Sequence, residues 1–408
     1  MAVEILATGD ELLTGQVVDT NSAWLMDRLW DLGLMVRRKT LVGDDRRDLT
    51  EALREIAARA DVVVVSGGLG PTEDDLTTEV VAAVKGVPLE VHEPSLEAIR
   101  ERFRKLGRLM TPNNEKQARF PRGATVIPNR FGTAPGFLVA LGRAEVACLP
   151  GVPIEFRGLC EEAVIPRVAA RLSEVPASRL VKLFGVPESH ADDRMRPLMD
   201  DPANQGVRFG YRAHWPEIHV KWSVPGPEAQ ERADRILEKV RALFGEALFG
   251  EGKVEMAELV VTRLLARRER VALAESCTGG MLAELLTAVP GASNVFDLGV
   301  VAYADAMKTA LLGVPTEILV ASGAVSEPVA RALAEGARRA GRATWGLSVT
   351  GIAGPTGGSP EKPVGTVHLA LAGPTGTRTL LRQYRGDRER IRRQAAFEAL
   401  NLLRLALS

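Results

Sequence analysis

Short apolar runs and helical stripes follow one another along the first third of the chain. Val3–Thr8 is an apolar run that ends in Gly9-Asp10. Leu25, Leu29 and Leu32 recur at helical spacing over 21–32, and 49–60 repeats that pattern. Asp61 then opens the continuous run Val62-Val63-Val64-Val65-Ser66, the mark of a strand buried on both faces of a parallel sheet. Gly67-Gly68-Leu69-Gly70-Pro71-Thr72 follows, and after it a helical stretch over 75–84. Strand, glycine loop and helix in that order predict an α/β fold with right-handed crossovers. Pro150-Gly151-Val152-Pro153 and a helix to about Leu172 close the section.

From Arg179 the pattern changes. The spacing predicts a strand over 180–186, a helix over 189–199 and a hairpin of 207–212 with 217–224. In the second hairpin strand Ile218, Val220, Trp222 and Val224 alternate with Glu217, His219, Lys221 and Ser223, so one face is expected buried and the other wet. Ala233, Leu237, Val240 and Phe244 share one stripe of a helix over 229–244. This is a small α+β module, and Gly245, Gly250 and Gly252 mark its far boundary. A second α/β section follows. Strands are expected over 271–274, 299–303, 345–350, 364–371 and 378–384, with helices from about Thr278, from Asp305 and over 327–340. A last helix carries Ile391, Ala395, Ala399, Leu402 and Leu405. The expected domains are 1–172, 173–252 and 253–408.

Composition narrows the function. Of 408 residues, 52 are basic and 52 acidic, so the formal net charge is zero. That balance, with no basic stretch interleaved with aromatics, argues against a nucleic-acid coat. No apolar stretch is long enough to cross a bilayer. The first residues enter a strand pattern directly, so no secretory leader is expected and cytoplasm is the default. The three cysteines, Cys148, Cys160 and Cys277, lack metal or disulfide spacing. His214 and His219 lie on either side of a strand–turn–strand around Pro216, which argues against a shared metal.

Three segments carry chemistry in the last section. Ala274-Glu275-Ser276-Cys277-Thr278-Gly279-Gly280 lies where a strand meets a helix, and the N–H groups after it are expected to be unpaired and suited to an oxyanion. A serine there can attack a carbonyl if a base removes its proton. On this motif alone, helix capping is the simpler role for Ser276 or Thr278. Cys277 is a rival nucleophile with no histidine near it in sequence. Val300–Lys308 is a strand running into a helix, which puts Lys308 one turn in, near the same sheet edge. Ser348-Val349-Thr350-Gly351-Ile352-Ala353-Gly354-Pro355 is a strand entering a small-residue loop whose backbone a ligand can approach closely.

AESCTGG, VVAYADAMK, GAVSEPVA, TGIAGPTGGSPEKPVGTVHLA and GDRERIRRQA together closely resemble the CinA C-terminal family over essentially all of 254–408. Ser66–Thr77 and Val42-Gly43-Asp44-Asp45 resemble molybdopterin-binding domains of the MoaB/MogA type, and Gly132-Thr133-Ala134-Pro135-Gly136 and Leu149–Pro153 are characteristic of CinA proteins. The middle module resembles a KH fold loosely and lacks the GxxG loop, so a spacer or dimer element is expected rather than an RNA binder.

The resemblance implies a MoaB/MogA-like three-layer α/β domain, a KH-like linker module and an α/β amidase domain acting on nicotinamide mononucleotide. It implies a serine–lysine dyad, which falls on Ser276 and Lys308, and places Tyr303 in the pocket. This chain has Asp305 where family members often have Asn. Thr278, Gly279, Gly280, Gly351, Ala353 and Gly354 are expected to line the substrate site, with a glycine-rich loop or an arginine such as Arg388 or Arg392 on the nucleotide phosphate. For the N-terminal domain the resemblance implies ADP-ribose hydrolysis. Gly67, Gly68, Gly70, Thr72, Gly132, Thr133 and Gly136 are the expected phosphate-binding residues. Asp44 and Asp75, with Asp74 as a third candidate, are expected to hold a divalent metal, Mg²⁺ in kind. Thr72 and Asp75 also fit a plain helix start. The amidase is expected to need no cofactor. Partners are expected to be small nucleotides and a second copy in a homodimer, with neither nucleic acid nor membrane. Two other readings stand beside this one: a pterin binder in the N-terminal domain, and a non-catalytic competence or DNA-repair interaction protein.

Overall fold

The computed structural model describes residues Met1–Ser408. It separates into two compact units. One holds Met1–Ser178 with the short segments 206–208 and 223–234; the other holds 179–205, 209–222 and 235–408.

The first unit is built on a six-stranded sheet in the order Val36–Val42, Val3–Thr8, Val62–Ser66, Ala144–Leu149, Gly136–Leu141, Thr125–Ile127. The first four strands are parallel and the last two run antiparallel. Val3–Thr8 and Val62–Ser66 are buried along their whole length; the second is an apolar run, and in the first the one charge, Glu4, is paired with Arg59. The chain leaves the Val3–Thr8 strand to one side and returns on the other. That reversal opens a crevice at the carboxyl ends of Val3–Thr8 and Val62–Ser66, where open α/β sheets bind ligands. The hairpin Gly136–Leu141 with Ala144–Leu149 was missed by periodicity. It is buried on nearly every residue and so does not alternate.

In the middle module, Arg208–His214, Glu217–Val224, Ala177–Phe184 and Leu248–Glu251 form a four-stranded sheet in that order. Residues 245–252, whose glycines read as a boundary, include the edge strand Leu248–Glu251, antiparallel to Ala177–Phe184. Phe184 and Phe249 join the apolar core of the last section. The expected wet face of Glu217–Val224 is not uniformly wet, since Glu217 and Ser223 are buried.

The last section has a five-stranded sheet in the order Phe296–Val301, Val271–Glu275, Trp345–Gly351, Thr366–Gly373, Gly376–Gln383. The first three strands are parallel and the last two antiparallel. Again the chain leaves its first strand to one side and returns on the other. The loops after Glu275, Val301 and Gly351 therefore gather at one sheet edge. The long helix Arg388–Ala406 packs its buried stripe on this sheet's core. No helix is long and apolar enough to cross a membrane.

Candidate active site

Ser276 follows directly on the buried strand Val271–Glu275, and its N–H donates to the Val349 carbonyl at 2.9 Å. Its side of the sheet edge is shared with the neighbouring strand, where Glu275 pairs with Val301 and Ala302 N donates to Glu275 O at 2.9 Å. Lys308, in the first turns of the helix Asp305–Leu312, turns back to that same strand end. Its Nζ donates to the Tyr303 carbonyl at 3.1 Å and to Asp305 Oδ1 at 2.9 Å. Lys308 is 1% exposed, so it is not a solvated surface charge. Two donors of the amine are used by these bonds. The third tetrahedral position is where a neutral amine would accept a proton.

The helix after Ser276 begins at Met281, and its N-terminus is not open as the sequence suggested. The Glu275 carboxylate, buried beneath it, accepts from Gly280 N, Leu282 N and Ala283 N at 2.9–3.1 Å. Gly279 N donates to the Ser276 carbonyl at 3.2 Å. Gly279 and Gly280 therefore shape the turn, at φ +61° and +96°, rather than offer free donors. The Cys277 and Thr278 N–H groups are engaged by no backbone carbonyl. Arg392 grips the other side of this loop, donating to the carbonyls of Cys277 at 3.2 Å and Thr278 at 2.6 Å. In a trans peptide the carbonyl and the next N–H point opposite ways, so holding the Cys277 carbonyl fixes the direction of the Thr278 N–H.

Arg388 ties the other loops together, donating to the Gly354 carbonyl at 2.8 Å and to the Tyr303 hydroxyl at 3.1 Å. Tyr303 itself is 61% exposed at the rim. Gly351 packs against the loop after Ser276: a Cβ there would lie 3.1 Å from Cys277 Sγ and 2.9 Å from the Thr366 carbonyl. Ala353 is buried, and the Thr278 hydroxyl is buried with no partner. Burial pushes the Cys277 thiol up to about 12, which keeps it protonated and weakens it as a nucleophile beside Ser276.

The crevice of the first unit is a cleft of about 460 Å³. Thr8, Asp44, Gly67, Gly68, Gly70, Asp74, Asp75 and Thr133 line it. Asp44 accepts from the Thr8 hydroxyl and from Asp10 N, both at 3.1 Å, while Asp10 accepts from Asp44 N. Asp75 closes the glycine loop by accepting from Thr72 N at 2.9 Å and the Thr72 hydroxyl at 2.5 Å. Thr72 is thereby spent on the local turn, as the helix-start reading allowed. A Cβ at Gly68 would lie 2.2 Å from the Thr77 hydroxyl, so a glycine is needed there. Two expected phosphate binders lie elsewhere. Gly136 sits in a strand, where its lack of a Cβ admits Leu149 and the Cys148 carbonyl, and Gly132 leaves room for the Glu155 carboxylate.

Residues 253–407 match the model of the CinA C-terminal domain, residues 4–170 that of the "Probable molybdopterin binding domain", and residues 178–250 that of the damage-inducible protein CinA KH domain. A CinA-like protein of Anaeromyxobacter sp. (strain Fw109-5) is 78% identical over 405 residues, covering 99% of each chain. One from Myxococcus xanthus is 46% identical, covering 99% of this chain and 98% of its own. This chain belongs to the CinA family. Among solved structures, the competence/damage inducible protein of Agrobacterium tumefaciens is 43% identical, with a TM-score of 0.36, over 37% of this chain and 94% of that one.

Sequence reading of this CinA chain missed three cleft residues. Glu155 is half-buried, and burial pushes its carboxyl above the ordinary range against an opposing bond from Asn129. Asn21, which donates to Ser66 and Gly151, and Gln117 are both buried, and each has a side-chain oxygen without a partner. Their signal was weak, because single amides in polar stretches read as surface. Glu275 was quoted in a motif and given no role, since a glutamate at a strand end gives no sign of which N–H groups it meets.

Proposed function

We propose that the C-terminal domain hydrolyses the carboxamide of nicotinamide mononucleotide to nicotinate mononucleotide and ammonia. The observation that carries this reading is a serine and a buried amine at the ends of adjacent parallel strands, beside two unspent amides. Ser276 Oγ attacks the amide carbon while Lys308 takes its proton. The carbonyl oxygen becomes an oxyanion, received by the N–H groups of Cys277 and Thr278, the second of which Arg392 aims. As the carbon–oxygen double bond re-forms, ammonia leaves with the proton from Lys308. Water then adds to the acyl carbon, Lys308 takes its proton and returns it to Ser276, and the acid departs. Tyr303 offers an exposed ring at the rim for the pyridine, and Arg388 holds that ring's hydroxyl. Release of ammonia from the mononucleotide tests the reading.

The N-terminal cleft, in the same proposal, hydrolyses ADP-ribose to AMP and ribose 5-phosphate. Its acidic side chains form an all-oxygen donor set suited to Mg²⁺. Asp44 and Asp75 would hold it, with Asp74 on the same wall. When bound, the ion neutralises charge on the pyrophosphate. The glycine loop cradles the phosphates, and Glu155 handles the proton of the attacking water. Chelator should therefore stop ADP-ribose cleavage, Mg²⁺ should restore it, and deamidation should continue throughout. Deamidation lost with chelator and recovered with metal would contradict this division. The match to a molybdopterin-binding model favours a second reading of the cleft, as a pterin site without hydrolysis. Formation of AMP separates the two.

A further inference from the structure

The hairpin of the middle module carries a cluster that neither proposed reaction uses. His214 ends the strand Arg208–His214, and Glu217 begins the strand Glu217–Val224 after two intervening residues. His219 lies two positions beyond Glu217, on the same face of the same strand. The turn between the strands is Trp215-Pro216. Folded this way, the two imidazole rings stack with centroids 5.0 Å apart and planes at 19°. His219 Nε2 lies 3.0 Å from Glu217 Oε2. One ligand atom from each of the three side chains lies within 4.8 Å of the other two. The sequence argument against a shared metal took the turn as separating the histidines. The turn instead brings them together.

A second observation points the same way. Glu217 is 1% exposed, and its other oxygen, Oε1, has no hydrogen-bond partner. A buried carboxylate oxygen left without a donor is costly, and a cation relieves that cost. We propose that His214, Glu217 and His219 form a binding site for a divalent transition metal of the zinc class. Two imidazoles and one carboxylate are a zinc-type donor set, and a fourth position remains for water. The ligand edges of a tetrahedral zinc centre are about 3.3 Å, from bonds of roughly 2.0–2.1 Å. The pair Glu217–His219, at 3.0 Å, lies a few tenths of an ångström from that spacing, and His214, an exposed side chain, has the freedom to close on it.

The site sits beside a contact of consequence. Trp215 at the hairpin tip lies under the Arg390 guanidinium, 5.4 Å from ring centroid to carbon. Arg390 belongs to the first turn of the helix that supplies Arg388 and Arg392 to the candidate active site. A metal on the hairpin would fix the tip that meets this helix.

The test is calorimetric titration of the metal-stripped full chain with Zn²⁺, in excess Mg²⁺ so that oxygen-donor sites are filled. Wild-type protein should take up one equivalent of Zn²⁺, and that equivalent should be lost in His214→Ala with His219→Ala. Because His214 is exposed, the single variant His214→Ala provides a folded control, checked by circular dichroism, and should bind Zn²⁺ more weakly. Co²⁺ should give visible absorption bands with wild type and not with the double variant. Wild-type protein that takes up no Zn²⁺, or uptake unchanged in the variants, overturns the proposal.

Discussion

Lys308→Arg is expected to lose deamidation almost as completely as Lys308→Ala, with kcat lower by about 10³-fold in both. Arginine keeps the positive charge and can still donate to the Tyr303 carbonyl and to Asp305. A lysine that served only as an ion-pair partner for Asp305 would be replaced with modest loss. A base would not, because the guanidinium stays protonated at any working pH. Lys308 is fully buried, so the larger guanidinium could disturb packing. Lys308→Met, which fills a similar volume without a titratable group, answers that concern. It should match the arginine variant in rate and the wild type in circular dichroism. A rate within a few-fold of wild type in Lys308→Arg would remove this residue as the base.

Arg392→Ala should lower kcat by about 100-fold with little change in KM. That is the size of effect found when an oxyanion donor is lost. The reason is geometric. The guanidinium grips the carbonyls of Cys277 and Thr278, and through the planar peptide it fixes the Thr278 N–H toward the developing oxyanion. Sequence reading offered Arg392 as a phosphate ligand. The two roles separate in steady-state kinetics, because loss of a phosphate contact raises KM and largely spares kcat. A variant with raised KM and near-normal kcat would return Arg392 to the phosphate and leave the oxyanion without this support. Arg392→Lys should recover part of the rate, since an ammonium still donates to one of the two carbonyls.

Periodicity found the strands that matter most for the site. The run from Asp61 to Ser66 and the strands before Ser276 and Gly351 are short and mostly apolar and run into loops of small residues, so those loops were legible as a shared edge. The middle hairpin and helix were legible for the same reason. What periodicity could not give was the partner of each polar group. Glu275 is a charged residue at the end of a buried strand, and only the fold shows that its carboxylate meets three N–H groups at the start of the next helix. Gly136 sits in a glycine-rich motif, yet its neighbours are Leu149 and the Cys148 carbonyl rather than an open cleft. His214, Glu217 and His219 were readable in principle. A two-residue turn puts the first two at the closing end of the hairpin, and the period of two puts the third beside them. Pro216 was weighed as a break between the histidines when it is part of the turn that joins the strands.

The most direct measurement is ammonia and nicotinate mononucleotide formed from nicotinamide mononucleotide by the full chain, run beside Ser276→Ala. The account predicts equal amounts of both products from the wild type. Ser276→Ala should form neither above background and still bind the mononucleotide, because the hydroxyl is needed for the chemical step. Wild-type protein that releases no ammonia, or Ser276→Ala that releases it at a near-normal rate, would contradict the account.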